Sequence, residues 1–257
     1  MILLTGYSGF IGSNFEGRCD FQPIDLRNPG NPLEGFENQN ATLIHLASPL
    51  PGGENSEKEM VELMDRIVNS MKMCPKINLI LASSIRVYSS GGPFNPETIP
   101  SPFDQYGFGK LRCEEMVKEL DDGRRIDIVR IASVQGKSKN QCRGVSGIFG
   151  KQAKEGVIRI QGDGNSIKDL IHVDEVVDAL VGLSKMKGRG IFLHSLGRHQ
   201  ISVLDLAKKI ASISGAKIEY VEEDPHDLSG YFDVEWSGKL PRVVVPLSKI
   251  IDDATTS

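Results

Sequence analysis

The chain has 257 residues, a formal net charge of −4, 39% hydrophobic and 25% charged residues, the make-up of a soluble globular protein with one large core or two small ones. A slight acidic excess without any basic block argues against a nucleic-acid partner. No apolar stretch approaches the ~20 residues of a membrane helix, which argues against a membrane one.

The first predicted element is the strand Ile2-Leu3-Leu4; it begins at residue 2, so no signal peptide is expected. It runs into Thr5-Gly6-Tyr7-Ser8-Gly9-Phe10-Ile11-Gly12. A glycine turn after a first strand lets the backbone approach a pyrophosphate, and the helix it starts aims free N–H groups and the positive end of its dipole at that anion. The spacing is a variant of the Gly-x-Gly-x-x-Gly fingerprint, and the following helix has only the space between Gly12 and Phe21. A second apolar segment, Phe21 to Leu26, puts Asp25 nineteen residues after Gly6. That is near the spacing of the carboxylate that binds an adenosine ribose.

The runs Leu43–Leu46, Leu79–Ala82 and Ile126–Ile131 continue the pattern of buried parallel strands alternating with helices. Between the first two, Met60, Leu63, Met64, Ile67, Val68 and Met71 repeat at helical spacing. That face suits packing on a sheet, with contact to another subunit as a further use. Ser83-Ser84 follows the run Leu79–Ala82, where α/β folds bind ligands, and Ser84 is a candidate to hydrogen-bond a substrate oxygen. Gly91 to Pro102 is rich in Gly and Pro and reads as a loop that delivers Tyr106.

Tyr106-Gly107-Phe108-Gly109-Lys110 carries the clearest chemistry. Tyrosine titrates near ~10, so its phenolate is scarce at pH 7. On a helix, residues four apart share a face, so the Lys110 ammonium lies near Tyr106 and favours the ionised phenol. Farther along the same helix, Cys113, Met116, Val117 and Leu120 read as core. Composition changes again from Gly136 through Gly147; the Val157–Ile160 run, the Gly162-Asp163-Gly164-Asn165 turn and a capping box at Ser202 and Asp205 then suggest a smaller C-terminal region. Cys19, Cys74, Cys113 and Cys142 are scattered and no His cluster has zinc spacing, which fits reduced cytoplasmic thiols and predicts no metal site. His45 and His172 read as hydrogen-bonded structural residues.

In order and spacing, these segments resemble the extended short-chain dehydrogenases/reductases, specifically the NAD-dependent epimerase/dehydratase group acting on nucleotide sugars. The resemblance runs through Thr5 to Gly12, Asp25-Leu26-Arg27, Leu43 to Ser48, Ser83-Ser84 with Val87-Tyr88, Tyr106 to Lys110, Gly162 to Gly164, Lys168 to Glu175 and Ile201 to Val203. It implies an α/β fold, a Rossmann-like doubly wound parallel sheet from residues 1–135 and 168–198, with a small discontinuous substrate region from 136–167 and 199–257. It implies a homodimer through the Met60 and Tyr106 helices. By resemblance the cofactor NAD meets Gly6, Gly9, Phe10, Ile11 and Gly12 at its pyrophosphate, Asp25 and Leu26 at its adenosine, and Leu46 and Ser48 along its length. Tyr106 exchanges a proton with a sugar hydroxyl or ketone while hydride moves to or from that carbon; Lys110 activates Tyr106 and binds the nicotinamide ribose, and Ser84 orients the reacting oxygen.

The chain departs from the family pattern at Lys168, where arginine is usual; at Ile131, where proline is; and at Ser89, where glycine is. Lys168 keeps a positive charge for a nucleotide diphosphate but loses the bidentate fork. Related dehydratases carry an acid just after the catalytic serine, and here those positions are Ile85 and Arg86. Neither is a general acid at neutral pH, so epimerisation or ketone reduction is expected over 4,6-dehydration. Arg86 is read as a contact for a substrate phosphate or carboxylate, with a structural salt bridge as the alternative. Two rival functions stay open: an NADP-dependent 4-keto nucleotide-sugar reductase, in which Arg27 meets a 2′-phosphate, and a non-catalytic NAD(P)-binding sensor or interaction protein.

Overall fold

The structure, a computed structural model, describes residues 1–49, 53, 55–120, 122–138, 141–222 and 229–256. Its strands in chain order are β1 (Ile2–Thr5), β2 (Gln22–Ile24), β3 (Ala41–His45), β4 (Ile77–Ser84), β5 (Gly91–Phe94), β6 (Arg125–Ile131) and β7 (Ser133–Ser138). The later ones are β8 (Gln141–Arg143), β9 (Val157–Gln161), β10 (Ile167–His172), β11 (Gly190–Leu196), β12 (His199–Ser202), β13 (Lys217–Val221) and β14 (Gly230–Phe232). The helices are α1 (Ser56–Lys72), α2 (Gln105–Lys118), α3 (Gly144–Lys154), α4 (Val173–Ser184), α5 (Val203–Ser214), the single turn α6 (Val234–Ser237) and α7 (Leu247–Thr255).

The continuous apolar runs form one parallel sheet in the order β2-β1-β3-β4-β6-β11. Successive side chains alternate between its faces. Leu3, Leu43, Leu79 and Ile128 meet α1 and α2 on one face, whereas Leu4, Ile44, Ile80 and Val129 meet Phe15 and α4 on the other. Burial on both faces is why these strands read as unbroken apolar runs. The stripe Met60, Met64, Ile67, Val68 and Met71 is buried within the chain itself. The crossover from β1 to β2 is reduced to one 3-10 turn, Gly12–Phe15, whose Phe15 is fully buried. Strand order reverses between β1 and β3, which makes a crevice at their carboxyl ends, where open α/β sheets bind ligands.

After Ile131 the chain leaves this sheet and β7 starts a second one, ordered β5-β14-β10-β7-β8 with β12 on the side of β10. It returns to the first sheet through α4. A separate apolar cluster, including Phe149, Ile158, Leu170, Leu206, Ile210 and Ile250, joins α3, α5 and α7 to β9 and β10. Ser202 caps α5 by accepting from Asp205 N, and His172 caps α4 by accepting from Asp174 N. Residues 139 and 140 of the Gly/Ser/Lys/Asn-rich stretch lie outside the described residues.

One expectation needs correction. Gly91–Phe94 is a short strand, β5, paired in parallel with β14, rather than part of a loop. It lies at the end of the second sheet, where a proline's missing N–H is tolerated.

Candidate active site

A cleft of about 740 Å³ opens at the carboxyl ends of β1, β3, β4 and β6. It is walled on the far side by α3, β10 and β14. Of the residues singled out in the sequence, Gly6, Gly9, Phe10, Ile11, Gly12, Leu46, Ser48, Ser84, Arg86, Tyr106, Lys110 and Lys168 line it; Asp25, Leu26 and Arg27 do not.

The glycine turn is set by close backbone approach. Gly6 has φ +67°, and a Cβ on it would lie 2.7 Å from Ala47 N; one on Gly12 would lie 2.2 Å from Gly6 O. Only hydrogen fits there, so the turn packs tightly on itself and on the end of β3, while Gly6, Gly9 and Gly12 line the cleft. Thr5 Oγ1 holds the neighbouring β3 end, accepting from Leu46 N at 3.1 Å and Ala47 N at 3.2 Å, and lies 2.9 Å from His45 Nδ1. Burial, helped by the nearby Lys110 charge, pushes the His45 imidazole down to about 3, so this histidine is neutral and structural.

The opposite wall carries the tyrosine. Tyr106, Lys110 and Glu114 fall at i, i+4 and i+8 of α2, one stripe that faces the sheet. Lys110 is 6% exposed; its Nζ donates to Ala82 O at 2.9 Å and lies 5.5 Å from the centroid of the Tyr106 ring. The two serines part company. Both border the cleft, but Ser83 is buried and its Oγ donates to Glu114 Oε1 at 2.5 Å, while the Ser84 Oγ accepts from Arg86 N. Glu114 also receives Arg130, whose Nη1 hydrogen-bonds the Tyr88 hydroxyl. Neither Glu114 nor Arg130 stood out in the sequence, although the i+8 spacing from Tyr106 was there to be read.

Other assigned residues also have partners within the chain. Arg86 donates through Nη2 to Asp104 Oδ2, the structural salt bridge weighed against substrate binding. Arg27 grips Asp25 with Nε at 2.9 Å from Oδ1 and Nη2 at 2.7 Å from Oδ2, which holds that half-buried carboxyl down at about 2. The Leu26 side chain is in the core with α1, and its carbonyl accepts from Arg66 Nη1 at 2.7 Å. Backbone alone is left for a ligand.

Asp169 is the one carboxylate among the described lining residues. It accepts from Arg198 N at 2.7 Å and Phe232 N at 3.1 Å, and burial pushes it up to about 6. No group of three or more His, Cys, Asp or Glu among the described residues is placed to hold a metal. No helix among them is long and apolar enough to cross a membrane.

With this geometry in place, the comparisons are specific. The sequence model of the NAD dependent epimerase/dehydratase family matches residues 16–191. Over 126 residues the chain is 32% identical to dTDP-L-rhamnose 4-epimerase of Burkholderia thailandensis, a stretch covering 46% of this chain and 35% of that protein, about a third of its length. It is 25% identical over 267 aligned residues to ADP-L-glycero-D-manno-heptose-6-epimerase of Brachyspira hyodysenteriae, covering 86% of this chain and 84% of the relative. The solved structure of UDP-glucuronic acid 4-epimerase from Bacillus cereus, in complex with UDP-glucuronic acid and NAD, matches with a TM-score of 0.81 at 20% identity, covering 99% of this chain and 98% of that one. At that identity the likeness shows the fold.

Proposed function

This chain belongs to the NAD dependent epimerase/dehydratase family, and from that premise we propose an NAD-dependent nucleotide-sugar enzyme that epimerises or reduces a sugar carbon with Tyr106 as acid/base. The observation that carries the proposal is one cleft holding the glycine turn on one wall and Tyr106, Lys110 and Ser84 on the other. The turn suits NAD because three glycines without side chains, Gly6, Gly9 and Gly12, line the cleft where a pyrophosphate would approach the backbone. Gly6, Gly9, Phe10, Ile11 and Gly12 would hold the pyrophosphate, Asp25 the adenosine ribose, Leu46 and Ser48 the middle of the molecule, and Lys110 the other ribose. Bound there, NAD supplies hydride-accepting and hydride-donating chemistry.

Tyr106 takes the proton from a sugar hydroxyl as its carbon is oxidised and returns it as the ketone is reduced. Ser84 donates to the same oxygen. Lys110, already anchored on Ala82 O, keeps a positive charge beside the phenol. Lys168 faces the diphosphate of the sugar nucleotide, and the regions 136–167 and 199–257 form the substrate side. We read the enzyme as a cytoplasmic homodimer that pairs through α1 and α2.

A second reading, an NADP-linked 4-keto reductase, draws on Arg27, whose bidentate grip neutralises the Asp25 charge that would repel a 2′-phosphate. Titration with NADH and NADPH separates the two: tighter NADPH binding favours the second. For the chemistry, UDP-glucose, UDP-glucuronic acid, dTDP-glucose and GDP-mannose are incubated with wild type and Tyr106→Phe, and products are followed by mass and by epimer separation. The variant should bind NADH normally and lose turnover by ~10²-fold or more. Full activity in Tyr106→Phe would refute the assignment.

A further inference from the structure

The 3-10 turn Ile85–Val87 links the two sides of the proposed reaction centre through a single residue, Arg86. Its backbone N–H donates to Ser84 Oγ at 3.2 Å. A serine hydroxyl has one proton and two acceptor positions; this bond occupies an acceptor position and leaves the proton to point elsewhere. The Arg86 carbonyl lies against the first turn of α2, so closely that a Cβ on Gly107 would come within 2.1 Å of it. Its side chain reaches Asp104, the N-cap of α2. Asp104 divides its carboxylate: Oδ1 accepts from Gly107 N at 2.7 Å, and Oδ2 receives Arg86. Tyr106 sits between Asp104 and Gly107, with the Arg86 guanidinium 5.9 Å from its ring centroid.

We infer that the Arg86–Asp104 pair is a positioning device: it ties the Ser84 turn to the cap of the Tyr106 helix and so fixes the two hydroxyls against one substrate oxygen. In the alternative role for Arg86, a substrate anion would have to compete with Asp104 for Nη2 or use the remaining N–H groups of a side chain that is 32% exposed beside the cleft. The inference rests on Tyr106 being the acid/base. It goes further in assigning Arg86 and Asp104 to the geometry of the reaction and away from substrate affinity.

Asp104→Asn makes a clean test, because asparagine caps a helix as well as aspartate does but cannot form the ion pair. Arg86→Gln and the double variant complete a cycle. Using the same four nucleotide sugars, each single variant should lose kcat by about 10- to 100-fold, the scale of a small misplacement of reacting groups. KM and NADH affinity should stay within about twofold, and the double variant should be no worse than the poorer single one. A rise in KM for Arg86→Gln with kcat retained would overturn the inference in favour of substrate binding. Unchanged kcat in Asp104→Asn would overturn it outright. Loss in these variants together with full activity in Tyr106→Phe would instead sink the acid/base assignment.

A measurement that needs no turnover guards the test. With 3-fluorotyrosine in the five tyrosine positions, the ¹⁹F signal lost in Tyr106→Phe identifies Tyr106. That signal should move in Asp104→Asn and in Arg86→Gln, and move no further in the double variant. A Tyr106 signal that stays put in Asp104→Asn refutes the positioning role whatever the sugar.

Discussion

Arg130 and Glu114 form a two-bond ion pair inside the protein, Nε to Oε1 at 3.0 Å and Nη2 to Oε2 at 2.7 Å, one helical turn beyond Lys110. The pair joins α2 to β6, and Ser83 and Tyr88 complete its hydrogen bonds. It fixes the height of the Tyr106 helix over the sheet, as the Arg86–Asp104 pair fixes its first turn.

Removing one partner of a buried pair strands the other charge, at a cost of about 3–5 kcal/mol. Arg130→Met should therefore lower the melting temperature by roughly 10 °C in a chain of this size. Glu114→Gln/Arg130→Met, which removes both charges, should recover a large part of that loss. A double variant as unstable as the single one would show that packing, not the stranded carboxylate, sets the cost.

Stability should fall on mild acidification. His45 is held neutral down to about 3, whereas an unfolded histidine takes up its proton near ~6.5. Below pH ~6.5 the unfolded chain is favoured by up to about 1.4 kcal/mol per pH unit. Asp169 works the other way, since its folded value of about 6 exceeds the ~3.8 of a free aspartate; protonation then favours the fold as pH drops from ~6 to ~4. The loss should begin near pH 7 and flatten below ~6. Further loss follows near and below pH ~4, where an unfolded aspartate takes up its proton while Asp253 resists it, held low against its burial by His172 and Lys249. Urea midpoints from pH 8 to 4 check this: His45→Asn should remove the first fall and Asp169→Asn should remove the plateau. A wild-type midpoint that rises between pH 7 and 6 contradicts the His45 assignment.

The parallel strands and the Tyr106–Lys110 pair were legible in the sequence because each depends on spacing within a short stretch. Buried strands must be apolar throughout, and residues four apart must share a helix face. β5 was not legible: Gly91–Phe94 has the composition of a turn, and it becomes a strand through pairing with β14, far away in the chain. Arg86 was ambiguous for a similar reason. A guanidinium's partner cannot be read from its neighbours, and Asp104 reaches it across a proline-rich connection. Phe21 to Leu26 read correctly as a strand region, but which side chain turned inward depended on α1 lying above Leu26.

The Asp25–Arg27 pair makes cofactor choice adjustable. NADH should bind more tightly than NADPH to wild type, because Asp25 can accept from a 2′-OH and repels a 2′-phosphate. Arg27→Ala leaves that carboxylate unneutralised and should weaken NADPH by roughly tenfold while changing NADH little. Asp25→Ala frees the guanidinium and should shift preference toward NADPH. Fluorescence titrations of the three proteins decide it; NADPH binding that is indifferent to Arg27 would remove that residue from the site.

The cleft should not support 4,6-dehydration. Eliminating water from a sugar requires an acid beside the leaving oxygen, and the positions after Ser84 are Ile85 and Arg86, the latter spent on Asp104. The only lining carboxylate among the described residues is Asp169. With a value of about 6 it is mostly ionised at pH 7.5, and both oxygens accept from backbone N–H groups, so it has neither a proton to give nor freedom to move. Incubation with dTDP-glucose, UDP-GlcNAc and GDP-mannose at pH 7.5 should yield no 4-keto-6-deoxy product absorbing in alkali. Product at a catalytic rate would show that an acid reaches the sugar after all. Repeating the assay with Asp169→Asn then narrows it: loss of the product assigns the proton to Asp169, and persistence points to another side chain, Tyr106 first among those lining the cleft.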